Sequence, residues 1–117
     1  MNTTVYGIPN CDTVKKARLW LLERHPDFHF HDFKKQGLER ATVQAWLTQL
    51  PWDVLLNRKG TTWRGLPDER KAQIVDEASA LALMLDAPSL VKRPVLLHVG
   101  QFHVGFSDAQ YQLIFND

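Results

Sequence analysis

The only cysteine of the chain stands in the segment Val5-Tyr6-Gly7-Ile8-Pro9-Asn10-Cys11-Asp12-Thr13-Val14-Lys15-Lys16-Ala17. A short apolar run ends there in a Gly/Pro/Asn turn, and a helical pattern begins at once, so Cys11 falls at or beside a helix N-terminus. Free backbone N–H groups at such a place stabilise a thiolate or hold an oxyanion. They can bring a thiol pKa from about 8.5 into the range of roughly 3.5–7.5. Such a thiolate attacks an electrophile, either an oxyanion or a disulfide. With no second cysteine in the chain, a separate thiol must resolve the adduct. Lys15 and Lys16, one turn further on, add positive charge. Asn10 orients the turn or donates near the sulfur, and Thr13 donates to the thiolate or caps locally. Asp12 favours the helix start through its charge, yet beside the sulfur it opposes ionisation. The competing reading of Cys11 is an inert thiol packed in a core.

Other chemistries find less support. His25, His29, His31, His98 and His103 show no recognised metal-ligand spacing and no clustered cysteines accompany them, so no metal is expected. Trp20, Trp46, Trp52 and Trp63 do not alternate with a basic stripe and are assigned to core and helix packing. There is no Ser-His-Asp signature, phosphate-binding glycine loop or dinucleotide fingerprint. Fourteen basic and thirteen acidic side chains leave a formal charge of +1, which offers no warrant for nucleic-acid or membrane binding. The 117 residues, 44% of them apolar, suit one domain with one main core. A single cysteine excludes an intrachain disulfide, no apolar run reaches the roughly 20 residues that span a bilayer, and no signal-like leader opens the chain. A reducing, cytoplasmic setting is expected.

The elements that must position Cys11 follow from the pattern. Thr3 to Ile8 reads as a strand and 12–24 as a helix, with Val14, Ala17, Leu21 and Leu22 on one apolar face. Phe28 to Phe33 resembles a second strand, and Lys34-Lys35-Gln36-Gly37 a turn. Helical spacing returns over 39–49, with a further short turn from Pro51 through Leu56, a loop over 57–65, and one long helix over 68–84 capped by Asp68. Ile74, Ala78, Leu81 and Leu85 make its stripe, and 86–89 breaks it. Val95 to Val99 is the most strand-like run, and a turn at Gly100-Gln101 leads into Phe102 to Phe106 as an antiparallel hairpin. Ser107 or Asp108 caps a last helix. A β-α-β start, a helical middle and a β-β-α end imply an α/β layer architecture. A right-handed crossover makes the first two strands parallel and places the cysteine turn at the carboxyl end of a strand, where open α/β sheets bind ligands.

The segment from Tyr6 to Ala17, with the later Leu55-Leu56-Asn57-Arg58, Lys92-Arg93-Pro94 and Gly105-Phe106, resembles the ArsC/Spx superfamily, and within it the YffB-like, arsenate-reductase-related subgroup. The resemblance runs over almost the whole chain. It implies a thioredoxin-like fold: a mixed four-stranded sheet with a helical insertion at about 39–92, all within a single domain, 1–117. Cys11 matches the nucleophile with which the family's arsenate reductases attack arsenate before glutathione and glutaredoxin complete the reduction. Arg58 and Arg93 resemble oxyanion-binding arginines, and planar guanidinium groups hold an oxyanion or a glutathione carboxylate bidentately. Pro94 resembles the proline before a central strand, usually cis, where the preceding backbone can pair with a glutathione peptide unit. Gly105 occupies the place of a third arginine, so one charge-assisted donor set is absent and the case for arsenate weakens. Val14 stands where many Spx regulators carry a second cysteine, which leaves no Cys-x-x-Cys switch.

The resemblance therefore implies a glutathione-dependent thiol oxidoreductase with Cys11 catalytic, Arg58, Arg93 and Pro94 binding the anion or glutathione, and Asn10, Thr13 and Lys15 in support. Expected partners are glutathione, as reductant or co-substrate, and glutaredoxin or another thiol protein. No tightly bound cofactor is expected, and the chain is expected to act as a monomer. The alternative is a non-enzymatic regulatory or protein-binding domain on the same scaffold.

Overall fold

The β-branched residues Thr3, Thr4 and Val5 open strand β1 (Thr3–Gly7), in which every second residue is buried. The chain turns through Ile8-Pro9-Asn10 into helix α1 (Asp12–Arg24) and returns as strand β2 (His29–Asp32), followed by the single-turn helix α2 (Phe33–Gln36). Next come α3 (Arg40–Leu47), α4 (Trp52–Leu55), α5 (Thr61–Arg64), α6 (Asp68–Ala72), α7 (Glu77–Asp86) and a 3-10 turn at Pro88–Leu90. Strands β3 (Val95–His98) and β4 (Gln101–Val104) and helix α8 (Asp108–Phe115) complete this computed structural model, which describes residues 2–116.

The four strands form one sheet in the order β2-β1-β3-β4. β1 is parallel to β2, with Val5 opposite Phe30, and antiparallel to β3, with Val5 opposite Leu96. β3 and β4 form an antiparallel hairpin. This mixed sheet with its α1 crossover is the thioredoxin-like α/β arrangement that the resemblance implied. The chain divides into two compact units, a helical one, Leu38–Lys92, and a sheet-bearing one made by the residues on either side of it.

In the sheet-bearing unit, Val5 and Leu96 pack with Ala17, Trp20 and Leu21 of α1 and Tyr111 of α8. Burying an aliphatic side chain of this kind contributes roughly 1.5–3 kcal/mol. Trp20 anchors both helices, because its indole N–H donates to the Asp108 carboxylate (2.6 Å) and its ring meets Tyr111 edge-on at 5.4 Å. Trp20 takes the inward place expected for Leu22, which is 56% exposed. The Tyr111 hydroxyl is buried and meets no hydrogen-bond partner among the described residues. Removing a buried, unsatisfied polar group relieves its desolvation cost. Tyr111→Phe is therefore expected to stabilise the protein by about 1 kcal/mol, read as a higher urea midpoint at unchanged slope.

In the helical unit α7 packs against α3 and α4. Val43, Trp46, Leu55, Leu81 and Met84 are buried. Several local expectations give way here and at the sheet edge. The Lys34–Gly37 segment is not a plain turn: the Asp32 side chain accepts from the Lys34 N–H (2.8 Å) and Gln36 Oε1 accepts from the Asp32 N–H (3.1 Å), which nucleates α2. The 57–65 loop contains the helical turn α5, started at Gly60. The long helix over 68–84 is two helices, because Asp76 and Ser79 form a reciprocal capping box that starts α7 afresh. Pro67, not Asp68, is the N-cap of α6, and the buried face of α7 is Ala80, Leu81, Leu83 and Met84. The hairpin also turns one residue early: Val99 (φ 49°) and Gly100 (φ 77°) make the turn, with both φ angles positive as a type I′ turn requires, and Gln101 already belongs to β4.

Candidate active site

Cys11 is placed by the end of β1 and the start of α1. Its N–H donates to the Ile8 carbonyl (3.2 Å), which closes the turn, and its own carbonyl accepts the first helical bond, from the Lys15 N–H (2.9 Å). With φ −86° and ψ 125°, Cys11 is the N-cap of α1, the position usually held by Ser, Thr, Asp or Asn. An N-cap side chain faces the N–H groups of the second and third helical residues, here Thr13 and Val14. The sulfur closes no capping hydrogen bond as a resting thiol. Negative charge on it is nonetheless favoured. Burial pushes the thiol up, but the Val14 N–H, the hydrogen bond and charge of the Arg93 guanidinium, and the Thr13 N–H together hold it below its ordinary value. The side chain remains partly exposed to solvent.

Arg93 reaches the sulfur through strand register. Tyr6 of β1 lies opposite Val95 of the antiparallel β3, so residues 94 and 93 continue past the carboxyl end of β1, beside the turn that carries Cys11. The Arg93–Pro94 peptide is cis, as the resemblance implied. Across the hairpin Val95 pairs with Val104, and the Gly105 N–H donates to the Pro94 carbonyl (2.8 Å). Gly105 has φ +83°, and a Cβ built there meets nothing within 4 Å. An arginine at this position has space but not a comfortable backbone, since a positive φ favours glycine.

The structure thus brings together Cys11, Thr13, Arg93 and Pro94. Thr13 contributes its backbone N–H. Asn10 is an exposed residue of the turn, and Lys15 is exposed on α1, where its N–H makes the first helical bond to the Cys11 carbonyl and none to the sulfur. Arg58 is carried by the helical unit, where its guanidinium lies over the rings of Trp52 (5.2 Å) and Trp63 (5.9 Å). Both tryptophans therefore flank a cation, a role that the assignment to packing alone left out. The Val14 N–H was missed because it is a backbone group; the signal that finds it is the cap rule, which counts three residues on from Cys11. Of the histidines, His31 bonds the Gly37 carbonyl through Nε2 (2.9 Å) and lies against Tyr6, while His98 Nδ1 pairs with the Thr3 hydroxyl (2.8 Å). Among the described residues no three His, Cys, Asp or Glu side chains gather as metal ligands, and no helix is long and apolar enough to cross a membrane.

The ArsC family model matches residues 6–114. The chain is 52% identical to an arsenate reductase (ArsC) related protein from Brucella melitensis whose solution structure it matches with a TM-score of 0.77, over 100% of this chain and 97% of that one. A solved YFFB protein is 45% identical, with a TM-score of 0.89 over 95% of this chain and 96% of the other. An uncharacterized protein of Haemophilus influenzae is 43% identical over 112 residues, 96% of this chain and 97% of its own length. The matched residues span the cysteine turn, the helical unit and the proline-led hairpin together, and the chain belongs to the ArsC family.

Proposed function

We propose that this protein is a glutathione-dependent thiol oxidoreductase that works through one nucleophile. The observation that carries the reading is the Cys11 thiol at the N-terminus of α1, held below its ordinary pKa with Arg93 against it. In the first step the Cys11 thiolate attacks one sulfur of a disulfide. A Cys11–S–S bond forms, the substrate's S–S bond breaks, and the departing thiolate takes a proton from solvent. In the second step a glutathione thiolate attacks the mixed disulfide and releases Cys11 as thiolate, which Arg93 and the helix N–H groups stabilise as a leaving group. One half of the substrate leaves as a thiol and the other leaves joined to glutathione; a second glutathione thiolate displaces that half and forms glutathione disulfide, so one substrate disulfide is reduced and two glutathione thiols are oxidised. Pro94 holds the backbone before it at the site for pairing with the glutathione peptide. Arsenate is the lesser substrate in this reading, because Gly105 supplies no donor to its oxygens.

The test is the rate of alkylation by iodoacetamide against pH, with mass spectrometry of the protein after exposure to glutathione disulfide. The expected result is a reactivity midpoint below the ordinary thiol value of about 8.5 and one glutathione adduct, on Cys11, that reduced glutathione removes. A midpoint at the ordinary value with no adduct overturns the reading and leaves the non-enzymatic binding domain in its place.

A further inference from the structure

Helix α1 has an outward face that the reaction at Cys11 does not use. Lys15, Arg18, Leu19 and Leu22 follow Cys11 by four, seven, eight and eleven places, which in a helix is one stripe running from the cap. Leu19 is 58% and Leu22 56% exposed, although the apolar spacing alone predicts Leu22 inward. Single apolar residues are ordinary on a surface, but Leu19 also lines a groove of about 290 Å³ between α1 and the start of α8, with Trp20 and Phe106 as its other apolar walls. A contiguous apolar surface with a charged rim marks a place where another molecule lies.

The charges along this face are unevenly balanced. At the end far from Cys11, Arg24 pairs with Glu23 (3.5 Å) and lies over the Trp20 ring (4.7 Å), and the Asp108 carboxylate accepts from the Trp20 N–H. Those groups are matched among themselves. At the Cys11 end stand Lys15, Lys16 and Arg18, none of which is in an ion pair among the described residues. Arg18 lies instead over the Phe30 ring, at 4.0 Å. Asp12 is the one acid between residues 12 and 18. From the sulfur outward the stripe therefore runs from thiol to unmatched cations to apolar surface.

Length along the helix decides what fits. At 1.5 Å per residue, Leu19 lies about 12 Å and Leu22 about 16 Å beyond the cap. A small disulfide seated on the sulfur ends well short of them. An extended chain advances about 3.4 Å per residue, so a polypeptide held through its cysteine reaches Leu19 with a side chain roughly four residues away. The residues between cross the three cations, which favour acids there. We propose that this face of α1 docks the substrate, and that the substrate is a polypeptide disulfide with acidic residues beside its reactive cysteine and a large apolar side chain about four residues from it. The covalent step is the one written above, and the assignment rests on that redox reading.

The test follows single turnovers on a synthetic peptide whose one cysteine carries a thiopyridyl group, with glutamates beside the cysteine and a leucine four residues on. Attack by Cys11 on the peptide sulfur forms the Cys11–peptide disulfide and releases pyridinethione, which is read by its absorbance. The wild type is expected to take this peptide about tenfold faster than a version with serine in place of the leucine. The double variant Leu19→Gln/Leu22→Gln keeps helix propensity and changes only exposed positions. It is expected to lose that preference, while its rate with dipyridyl disulfide and its thermal midpoint stay at the parent's values. Lys16→Gln is expected to slow the acidic peptide by about threefold and to weaken its salt dependence, and to leave a peptide with glutamine in place of glutamate unaffected. Equal rates for the leucine and serine peptides, or a preference that survives in the double variant, overturns the assignment. Fluorescence anisotropy of the labelled, S-methylated peptide on Cys11→Ser protein reads docking without chemistry, so the two proposals fail separately. No pyridinethione release from any disulfide by the wild type, with Cys11→Ser still binding the peptide through its leucine, sinks the redox reading and leaves the face a polypeptide site. Normal release from dipyridyl disulfide, with no dependence on the leucine in rate or in binding, sinks the docking face alone.

Discussion

Arg93→Gln is expected to raise the Cys11 pKa and to slow alkylation at pH 7 by about tenfold, the effect of losing one charge-assisted hydrogen bond of about 1.5 kcal/mol. Glutamine keeps much of the side chain's length and can still donate, but it brings no charge, and both the hydrogen bond and the charge of Arg93 favour the thiolate. Arg93→Lys restores the charge as a point rather than a planar fork, so its rate is expected to lie between the two. The Val14 and Thr13 N–H groups remain in every variant, so the thiol is not expected to return fully to its ordinary value. The same shift couples ionisation to folding. A thiol whose folded pKa is depressed adds stability that is complete above its ordinary value and is lost as the pH falls through the lowered folded value. Relative to Cys11→Ser, the wild type is expected to gain stability with rising pH across that window, a gain that Arg93→Gln diminishes. Denaturant titrations at a series of pH values measure it, and parallel curves for wild type and Cys11→Ser would contradict the coupling.

Gly7→Ala is expected to destabilise the protein by about 1–3 kcal/mol, the usual cost of overpacking a core. A methyl group at Gly7 stands 2.8 Å from one Val14 methyl and 3.1 Å from the other, and Val14 is fully buried on α1. Val14 must move, and its N–H is the first of the groups that favour the Cys11 thiolate. The substitution is therefore expected to lower the denaturation midpoint and to raise the Cys11 pKa together. Adding Val14→Ala removes the clashing methyls, so the double variant is expected to be less destabilised than the sum of the two single changes. An additive cycle, or a midpoint shift with unchanged thiol reactivity, would show that the β1–α1 contact does not set the sulfur's surroundings.

The half of the site built from neighbouring residues was legible in the residues themselves. β-branched types gave β1, Gly7 to Asn10 gave the turn, and the helical spacing from Asp12 to Arg24 matches the boundaries of α1. That spacing puts a cysteine where a cap belongs. Arg93 was legible only through family resemblance, because no local pattern tells that β3 will lie antiparallel to β1 in the register that carries residue 93 to the cysteine turn. The helical unit is the least legible part for a different reason. Its elements α4, α5 and α6 are each about one turn long, too short to show a period, and no side-chain cap marks their starts, while the Asp76–Ser79 capping box starts α7 inside what reads as one long helix. The bridge that joins Leu56 to Val91 is a tertiary contact with no sequence signal.

The pairing of β1 with β3 has a consequence for the protein's life before it is complete. During synthesis Cys11 leaves the ribosome well before Arg93 and the strand that seats it. Long-range strand pairing of this kind forms late. Until then the sulfur has at most a nascent helix beside it and behaves as an ordinary, mostly protonated thiol. The share of the thiol's ionisation that Arg93 supplies arrives only with the finished sheet. Reactivity at Cys11 is, in effect, a chemical signal that the polypeptide has matured.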